Sequence, residues 1–299
     1  MKTKLLLMKK NVCIQGLGFV GSAMAVACAR AGTRNGGKPI YNVIGLDLPS
    51  GIGLERVGKI NKGEFPFGTT DRSLVEQTKL AHEACNLIAT TDAEVLNSAD
   101  IVVVDVHFDV GDLKGAGSLD FGPFIKAIES VVSRVPSGCL VLIETTVPPG
   151  TCEKVIRPVI DSYEEKRGMA KGSILLAHSY ERVMPGENYL SSITDFWRVF
   201  AGHTSEAGNR CEAFLSTVLN VEKFPLVRLG STTASETAKV LENSYRAMNI
   251  AFMDEWGNFA ENVGVDMFEI IKAIKMRPTH NNIMRPGFGV GGYCLTKDP

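Results

Sequence analysis

The sequence predicts an α/β protein: a doubly wound parallel sheet followed by an all-helical domain built on one long helix. Three observations carry that prediction. From Val12 onward, short apolar runs alternate with amphipathic stretches, the pattern of strands buried on both faces of a sheet. A glycine-rich turn joins the first run to the first helical stretch. After Gly230 the texture changes, and Ser231 to Val263 hold no proline and a single glycine.

Strands are expected over Val12–Gln15, Val43–Asp47, Ile101–Val106, Cys139–Glu144 and Ile174–Ala177, because each is short and near-continuously apolar. Helical spacing places helices over Val20–Arg30, Leu74–Glu83, Phe124–Val135 and Cys152–Glu165. Two further strands, Phe196–Ala201 and Pro225–Leu229, flank a helix near Glu206–Leu219 and extend the sheet. The long helix covers Ser231 to about Val263, and a second, Asp266–Met276, follows the turn at Gly264. The domain boundary is therefore expected between residues 230 and 231, with a dinucleotide-binding unit before it and a helical, dimerising unit after it.

The chain has 299 residues, 44% hydrophobic and 22% charged, with a formal net charge of −1. That is a globular composition with no basic block, so no nucleic-acid partner is expected. The N-terminal apolar stretch covers only Leu5 to Met8, too short for a signal-peptide core, and no later run approaches a membrane span. A cytoplasmic protein without a membrane partner is the expectation. Seven cysteines are widely spaced and lack any Cys-x-x-Cys pair, which argues against a disulfide framework and against a metal site. Six read as buried small hydrophobes. Cys294 does not.

Gly16-Leu-Gly-Phe-Val-Gly21 follows the first strand and opens the first helix, so its glycines allow a tight turn and let the helix N-terminus meet a pyrophosphate. Asp47 ends the next strand, where a carboxylate accepts hydrogen bonds from ribose hydroxyls and repels a 2′-phosphate. This is a Rossmann-like arrangement, and NAD rather than NADP is the expected cofactor. Asp47 lies further along than usual because Thr33–Tyr41 reads as an inserted loop.

Four segments carry chemistry. Cys294 sits in Gly287-Phe-Gly-Val-Gly-Gly-Tyr-Cys-Leu-Thr-Lys-Asp298, a setting that lets backbone approach a ligand or presents a thiol. Lys239 and Asn243, four residues apart, share a face of the long helix and are both donors suited to an oxyanion. Glu144-Thr-Thr-Val-Pro-Pro-Gly150 ends a strand at the edge facing the ligand crevice. Ser179-Tyr-Glu-Arg-Val-Met-Pro-Gly186 does the same and offers Glu181 as a buried carboxylate.

Together these segments resemble the nucleotide-sugar 6-dehydrogenases, the family of UDP-glucose and GDP-mannose dehydrogenases, from about Val12 to Pro299. The Gly-Val-Gly-Gly-x-Cys motif is the most specific element of the likeness. The resemblance implies Cys294 as nucleophile, Lys239 and Asn243 as oxyanion donors, and Glu181 in thioester hydrolysis. It implies Thr146 and Asp298 as residues that hold water. The implied cofactor set is Gly16, Gly18, Phe19, Val20, Gly21, Asp47, Thr146 and Lys297. The implied reaction oxidises the C6 hydroxyl of a nucleotide sugar to the acid with two NAD, through a thiohemiacetal and a thioester on Cys294. A Lys239 ammonium near the thiol would favour its thiolate.

Some positions depart from the family pattern. Ser179-Tyr180-Glu181 stands where Ser-Pro-Glu is usual, and Val106-His-Phe-Asp109 replaces Val-Pro-Thr-Pro, so the family's threonine contact to the cofactor is absent and His107 reads as a surface-loop histidine rather than a substitute contact. The Glu-Arg-Val-x-Pro-Gly form after Tyr180, with Pro185 where UDP-glucose enzymes carry a second glutamate, is closer to members acting on UDP-N-acetylhexosamines. Family chains continue into a further α/β unit that grips the nucleotide. This chain ends at Pro299, so NAD binding with poor turnover is expected of it alone. Two other readings stay open: a single-step β-hydroxyacid dehydrogenase of the 6-phosphogluconate type, which needs no cysteine, and a non-catalytic NAD-binding protein. Val240, Leu241, Ile250, Phe252, Met253, Trp256 and Phe259 exceed what one face of a lone helix needs, and the resemblance implies a homodimer through residues 231–263.

Overall fold

A computed structural model describes residues 9–33, 36–108, 120–184 and 186–298. The Asp109 and Pro185 substitutions and the terminal Pro299 lie outside these residues, as does part of the Thr33–Tyr41 insertion. Eight strands form one sheet: β1 (Lys10–Gln15), β2 (Tyr41–Leu46), β3 (Leu87–Thr90), β4 (Ile101–Val104), β5 (Leu140–Ile143), β6 (Leu175–Tyr180), β7 (Val199–Gly202) and β8 (Val227–Arg228). Their order is β3-β2-β1-β4-β5-β6-β7-β8. The chain reverses direction of growth between β1 and β4, which opens a crevice at their carboxyl ends.

Each strand alternates its side chains between the two faces of the sheet. Ile101 and Val103 pack on one face with α1 (Phe19–Ala29), α3 (Arg72–Glu83), α6 (Tyr189–Thr194) and α7 (Ser205–Val218). Val102 and Val104 pack on the other with α4 (Gly122–Val132) and α5 (Arg157–Lys166). Because successive side chains point to opposite faces, a strand covered by helices on both sides must be apolar throughout.

The sheet is parallel through β6, but β7 runs antiparallel to β6. The only helix in the connection, among the described residues, is α6 of six residues, in place of the longer helix that a parallel crossover usually carries. The chain therefore re-enters from the carboxyl edge and leaves Arg198 there. Three elements do not stand out in the sequence. β3 is four residues long, α6 is one and a half turns, and α2 (Gly51–Ile60) carries Gly51, Gly53 and Gly58. Glycine disfavours a helix interior, yet the Ser50 hydroxyl caps α2 by accepting from Gly53 N–H at 3.1 Å and Ile60 is buried against the core.

The expected helix over Cys152–Glu165 opens with a π-helical turn, Cys152–Ile156, before α5. Pro158 lies in the first turn of α5 and has no N–H to give, so a wider turn precedes it. Five of the six cysteines expected inside are buried; Cys85 is exposed. It follows the end of α3 with φ of 53°, a left-handed position at the surface.

The chain divides into two compact units, Met1–Glu236 and Thr237–Pro299. In the second, the long helix α8 (Thr232–Val263) packs its C-terminal half on α9 (Met267–Ile274) through Met253, Ala260, Met267 and Ile271. A short helix, α10 (Tyr293–Lys297), ends the described chain. Among the described residues, no helix is long and apolar enough to cross a membrane.

Candidate active site

The three glycines of the first turn are needed for three different reasons. Gly16 has φ of 95°, and a Cβ there would meet the Asp105 carbonyl oxygen at 2.6 Å. A Cβ on Gly21 would stand 1.9 Å from the Gly16 carbonyl oxygen, so α1 can approach the turn only without a side chain. At Gly18 nothing lies within 4 Å of where a Cβ would be. That open face, at the N-terminus of α1, is the space a dinucleotide's diphosphate needs. Tyr189 of α6 fixes the turn from below, its hydroxyl donating to the Phe19 carbonyl at 2.7 Å.

Asp47 lies just past β2, its N–H donating to the Thr90 carbonyl. One carboxylate oxygen accepts from the Leu48 N–H at 2.8 Å and the other pairs with Arg56 at 3.2 Å. The Arg56 guanidinium also lies over the Phe67 ring, 5.3 Å from its centroid, and Phe67 stacks on Phe19 at 4.2 Å. The sequence signals Asp47 but not Arg56, nine residues on in a helix that it does not announce. These residues fit NAD: an open glycine face for the diphosphate and a carboxylate beyond β2 for the ribose.

The carboxyl edge of the sheet gathers further groups of the first unit. Thr146 follows β5 and is half-buried. Thr145 beside it is locked, its hydroxyl donating to the Val106 carbonyl at 2.8 Å. Glu181 follows β6 and is half-buried rather than buried, because β6 runs on through Tyr180 and delivers residue 181 to the loop. Its carboxylate accepts from the Val183 N–H. His107 is exposed, as a surface-loop residue should be.

Two buried arrangements at this edge join the Glu144–Gly150 segment to residues without a sequence signal, Arg198 and Glu236. Arg198 donates to Glu144 at 2.7 Å, with side chains 3% and 0% exposed. Glu236, fully buried in the first turn of α8, accepts from the N–H groups of Gly150 at 2.5 Å and Cys152 at 2.7 Å. It thereby holds the end of the Thr146 loop. Arg198 and Glu236 have ordinary sequence neighbourhoods; only long-range packing identifies them.

In the second unit, Lys239 is buried and Asn243 half-buried on α8. The Asn243 amide donates to the Asp298 carboxylate at 2.6 Å, and Lys297 pairs with the same carboxylate at 2.9 Å. Asp298 caps α10, its N–H donating to the Cys294 carbonyl at 2.9 Å. Cys294 is exposed. Its loop turns at Gly289 and Gly292, with φ of 78° and 88°, where a side chain would be strained. Burial pushes the Cys13 thiol up to about 12 and raises those of Cys28, Cys139, Cys152 and Cys211 as well, so none of these five is a nucleophile at neutral pH.

Comparison with known proteins matches two profiles. Residues 10–218 match the NAD binding domain of the UDP-glucose/GDP-mannose dehydrogenase family, and residues 233–299 match that family's central domain. The UDP-N-acetyl-D-mannosamine dehydrogenase of Methanocaldococcus jannaschii is 31% identical over 97% of this chain. The chain spans 60% of that relative's length. Among solved structures, a UDP-D-ManNAc dehydrogenase from Pyrococcus horikoshii superposes with a TM-score of 0.81 at 28% identity, covering 96% of this chain and 62% of that one. An NDP-N-acetyl-D-galactosaminuronic acid dehydrogenase from Methanosarcina mazei does so with a TM-score of 0.79 at 28% identity, covering 97% and 59%.

Proposed function

The chain belongs to the UDP-glucose/GDP-mannose dehydrogenase family, and from that premise we propose that it oxidises the C6 hydroxyl of a UDP-N-acetylhexosamine to the uronic acid, with NAD as acceptor and Cys294 as covalent catalyst. The observation that carries this reading is the Asn243–Asp298 hydrogen bond of 2.6 Å, which ties the cysteine loop to the helix that bears Lys239 and Asn243. The relatives named for UDP-N-acetyl-D-mannosamine favour an N-acetylamino sugar.

NAD supplies the hydride acceptor, twice per sugar. The chain's own residues do the rest. The first oxidation removes a hydride and a proton from the C6 alcohol and leaves an aldehyde. The Cys294 thiolate adds to its carbonyl carbon, and Lys239 and Asn243 steady the oxyanion of the resulting thiohemiacetal. Loss of a second hydride leaves a thioester. Glu181 then directs a water, with Thr146 and Asp298 holding water in place, and the C–S bond breaks to give the acid and free thiol. Residues 1–230 bind NAD in this scheme and 231–299 hold the thiol. Leu241, Tyr245, Met248, Phe252, Trp256, Phe259 and Val263 recur three and four residues apart on α8 and are all exposed, which suits a second copy of the chain packed along that helix.

The test is a panel of UDP- and GDP-sugars with NAD on the full gene product, scored as NADH per sugar, with mass spectrometry of the Cys294 peptide. Two NADH per sugar and a Cys294-bound adduct are expected. One NADH per sugar, unaffected by Cys294→Ser, would replace this reading with a single-step dehydrogenase.

A further inference from the structure

Three ionisable side chains close the sheet beneath the glycine turn. Asp105 follows β4, Glu144 follows β5, and Arg198 precedes β7 at the same edge. Arg198 spends one guanidinium nitrogen on Glu144 at 2.7 Å. Asp105 Oδ2, Glu144 Oε2 and Arg198 Nη2 are buried and have no hydrogen-bond partner among the described residues. Unpaired buried polar atoms are uncommon, and three in one cluster mark a place held for more than packing.

Asp105 is the member nearest the cofactor turn. Its carbonyl oxygen would meet a Cβ on Gly16 at 2.6 Å, and its own Cβ would stand 3.1 Å from a Cβ on Gly21. The side chain therefore lies against the first turn of α1, the helix end that carries partial positive charge toward a diphosphate. Two acids act on it, Glu144 beyond β5 and Glu181 beyond β6, against one cation, Arg198, which is already bonded to Glu144. Tyr189 of α6 and Cys28 of α1 also sense its charge, and both are neutral hydrogen-bearing groups. On β1, the Gln15 amide is turned to the Ala127 carbonyl and gives Asp105 nothing.

Ionised, the half-buried Asp105 would carry a charge whose Oδ2 is cut off from solvent and has no donor, beside a second carboxylate, and both conditions favour keeping the proton. It would also set a negative charge beneath the helix end that must attract the cofactor's two phosphates. We propose that Asp105 is held as a neutral carboxylic acid so that the positive end of α1 is left to the NAD diphosphate, and that losing its proton weakens NAD binding. Asp105 is thus a positioning residue for the cofactor, and this rests on the NAD site at Gly16–Gly21. Burial, then Glu144, then Glu181 raise its pKa well above the usual carboxylate range, which agrees with a proton retained at neutral pH.

The experiment has two arms. NAD affinity is measured by titration calorimetry from about pH 6 to about pH 9 at fixed ionic strength, on the wild-type chain and on Asp105→Asn, which is neutral at every pH. The dissociation constant of the wild type should rise about tenfold across the range, and that of the Asn variant should stay flat near the wild-type low-pH value. Infrared difference spectra of the two proteins without NAD should show a protonated-carboxyl band at neutral pH that Asp105→Asn removes. A flat wild-type profile, an equally steep Asn profile, or no such band overturns the proposal. If neither protein binds NAD at any pH, the cofactor site itself fails, and the infrared arm still reports the Asp105 proton.

Discussion

Gly257, the only glycine of α8, lies so close beneath Pro286 that a Cβ there would stand 2.8 Å from the Pro286 Cβ. Pro286 begins the run of glycines that leads to Cys294, so a missing methylene on the helix is what lets the cysteine loop cross it. Gly257→Ala would gain about 1 kcal/mol of helix propensity. It would lose about 1–3 kcal/mol to overpacking against a rigid ring. We expect a net loss of stability together with a changed alkylation rate at Cys294. Thermal unfolding and peptide mass spectrometry measure the two, and an unchanged rate in a stabilised variant would contradict the contact.

Cofactor choice should respond to Asp47. With its carboxylate replaced in Asp47→Asn, repulsion of a 2′-phosphate disappears and Arg56, now 3.2 Å from a neutral group, is free to pair with that phosphate. Discrimination against NADP should narrow by about tenfold, roughly 1.4 kcal/mol. Titration of NAD and NADP into both proteins reads it directly, and an unaltered ratio would remove Asp47 from the ribose.

The Arg198–Glu144 pair is a buried ion pair with side chains 3% and 0% exposed. Arg198→Met leaves Glu144 unpaired and should cost about 3–5 kcal/mol. Adding Glu144→Leu should recover a large part of that loss, since no buried charge then remains unmatched. Urea unfolding of the single and double variants checks this; an additive double variant would show that the two residues do not interact.

Stability should also depend on pH through Asp105. Its folded-state pKa lies above its unfolded value of about 4, so the folded chain holds the proton more tightly. The stabilisation is complete below the unfolded value and is lost as pH rises toward the raised folded one. Asp105→Asn does not share that loss. The stability of the Asn variant relative to wild type should therefore increase between about pH 5 and about pH 8. Denaturant titrations at the two pH values test the sign, and the opposite trend would place an ionised Asp105 in the folded chain.

Thiol accessibility should separate the cysteines. Iodoacetamide at neutral pH should label Cys294 and Cys85 in the native chain and spare Cys13, Cys28, Cys139, Cys152 and Cys211 until it is unfolded. Labelling of any of those five under native conditions would show that the strand or helix around it opens.

Much of this molecule is readable along the chain. Apolar strands such as Ile101–Val104 and Leu140–Ile143 announce a sheet covered twice, and the absence of proline from Ser231 to Val263 announces α8. The glycine turn is equally plain, since its Gly-x-Gly-x-x-Gly spacing stands directly between an apolar strand and a helical stretch. Short elements were harder to see. β3 and α6 are too short to show a period, and α2 keeps its helix despite three glycines because Ser50 caps it and Ile60 is buried. Glu181 reads as buried in the sequence but is half-buried, since the strand before it extends three residues beyond Ala177.

Local pattern by itself determined the layered sheet, the dinucleotide turn at Gly16–Gly21, the long helix and the glycine-rich setting of Cys294. Those features depend on the period of the backbone and on residue types within a turn or two. Only the tertiary structure decided that Glu236 would hold Gly150 and Cys152, that Arg198 would meet Glu144, and that Asp105 would lie beneath α1. The partners in those contacts lie as many as 86 residues apart. A carboxylate in a sequence carries no mark of what will surround it, because its energy depends on the solvent it loses and the charges it gains when the chain closes over it.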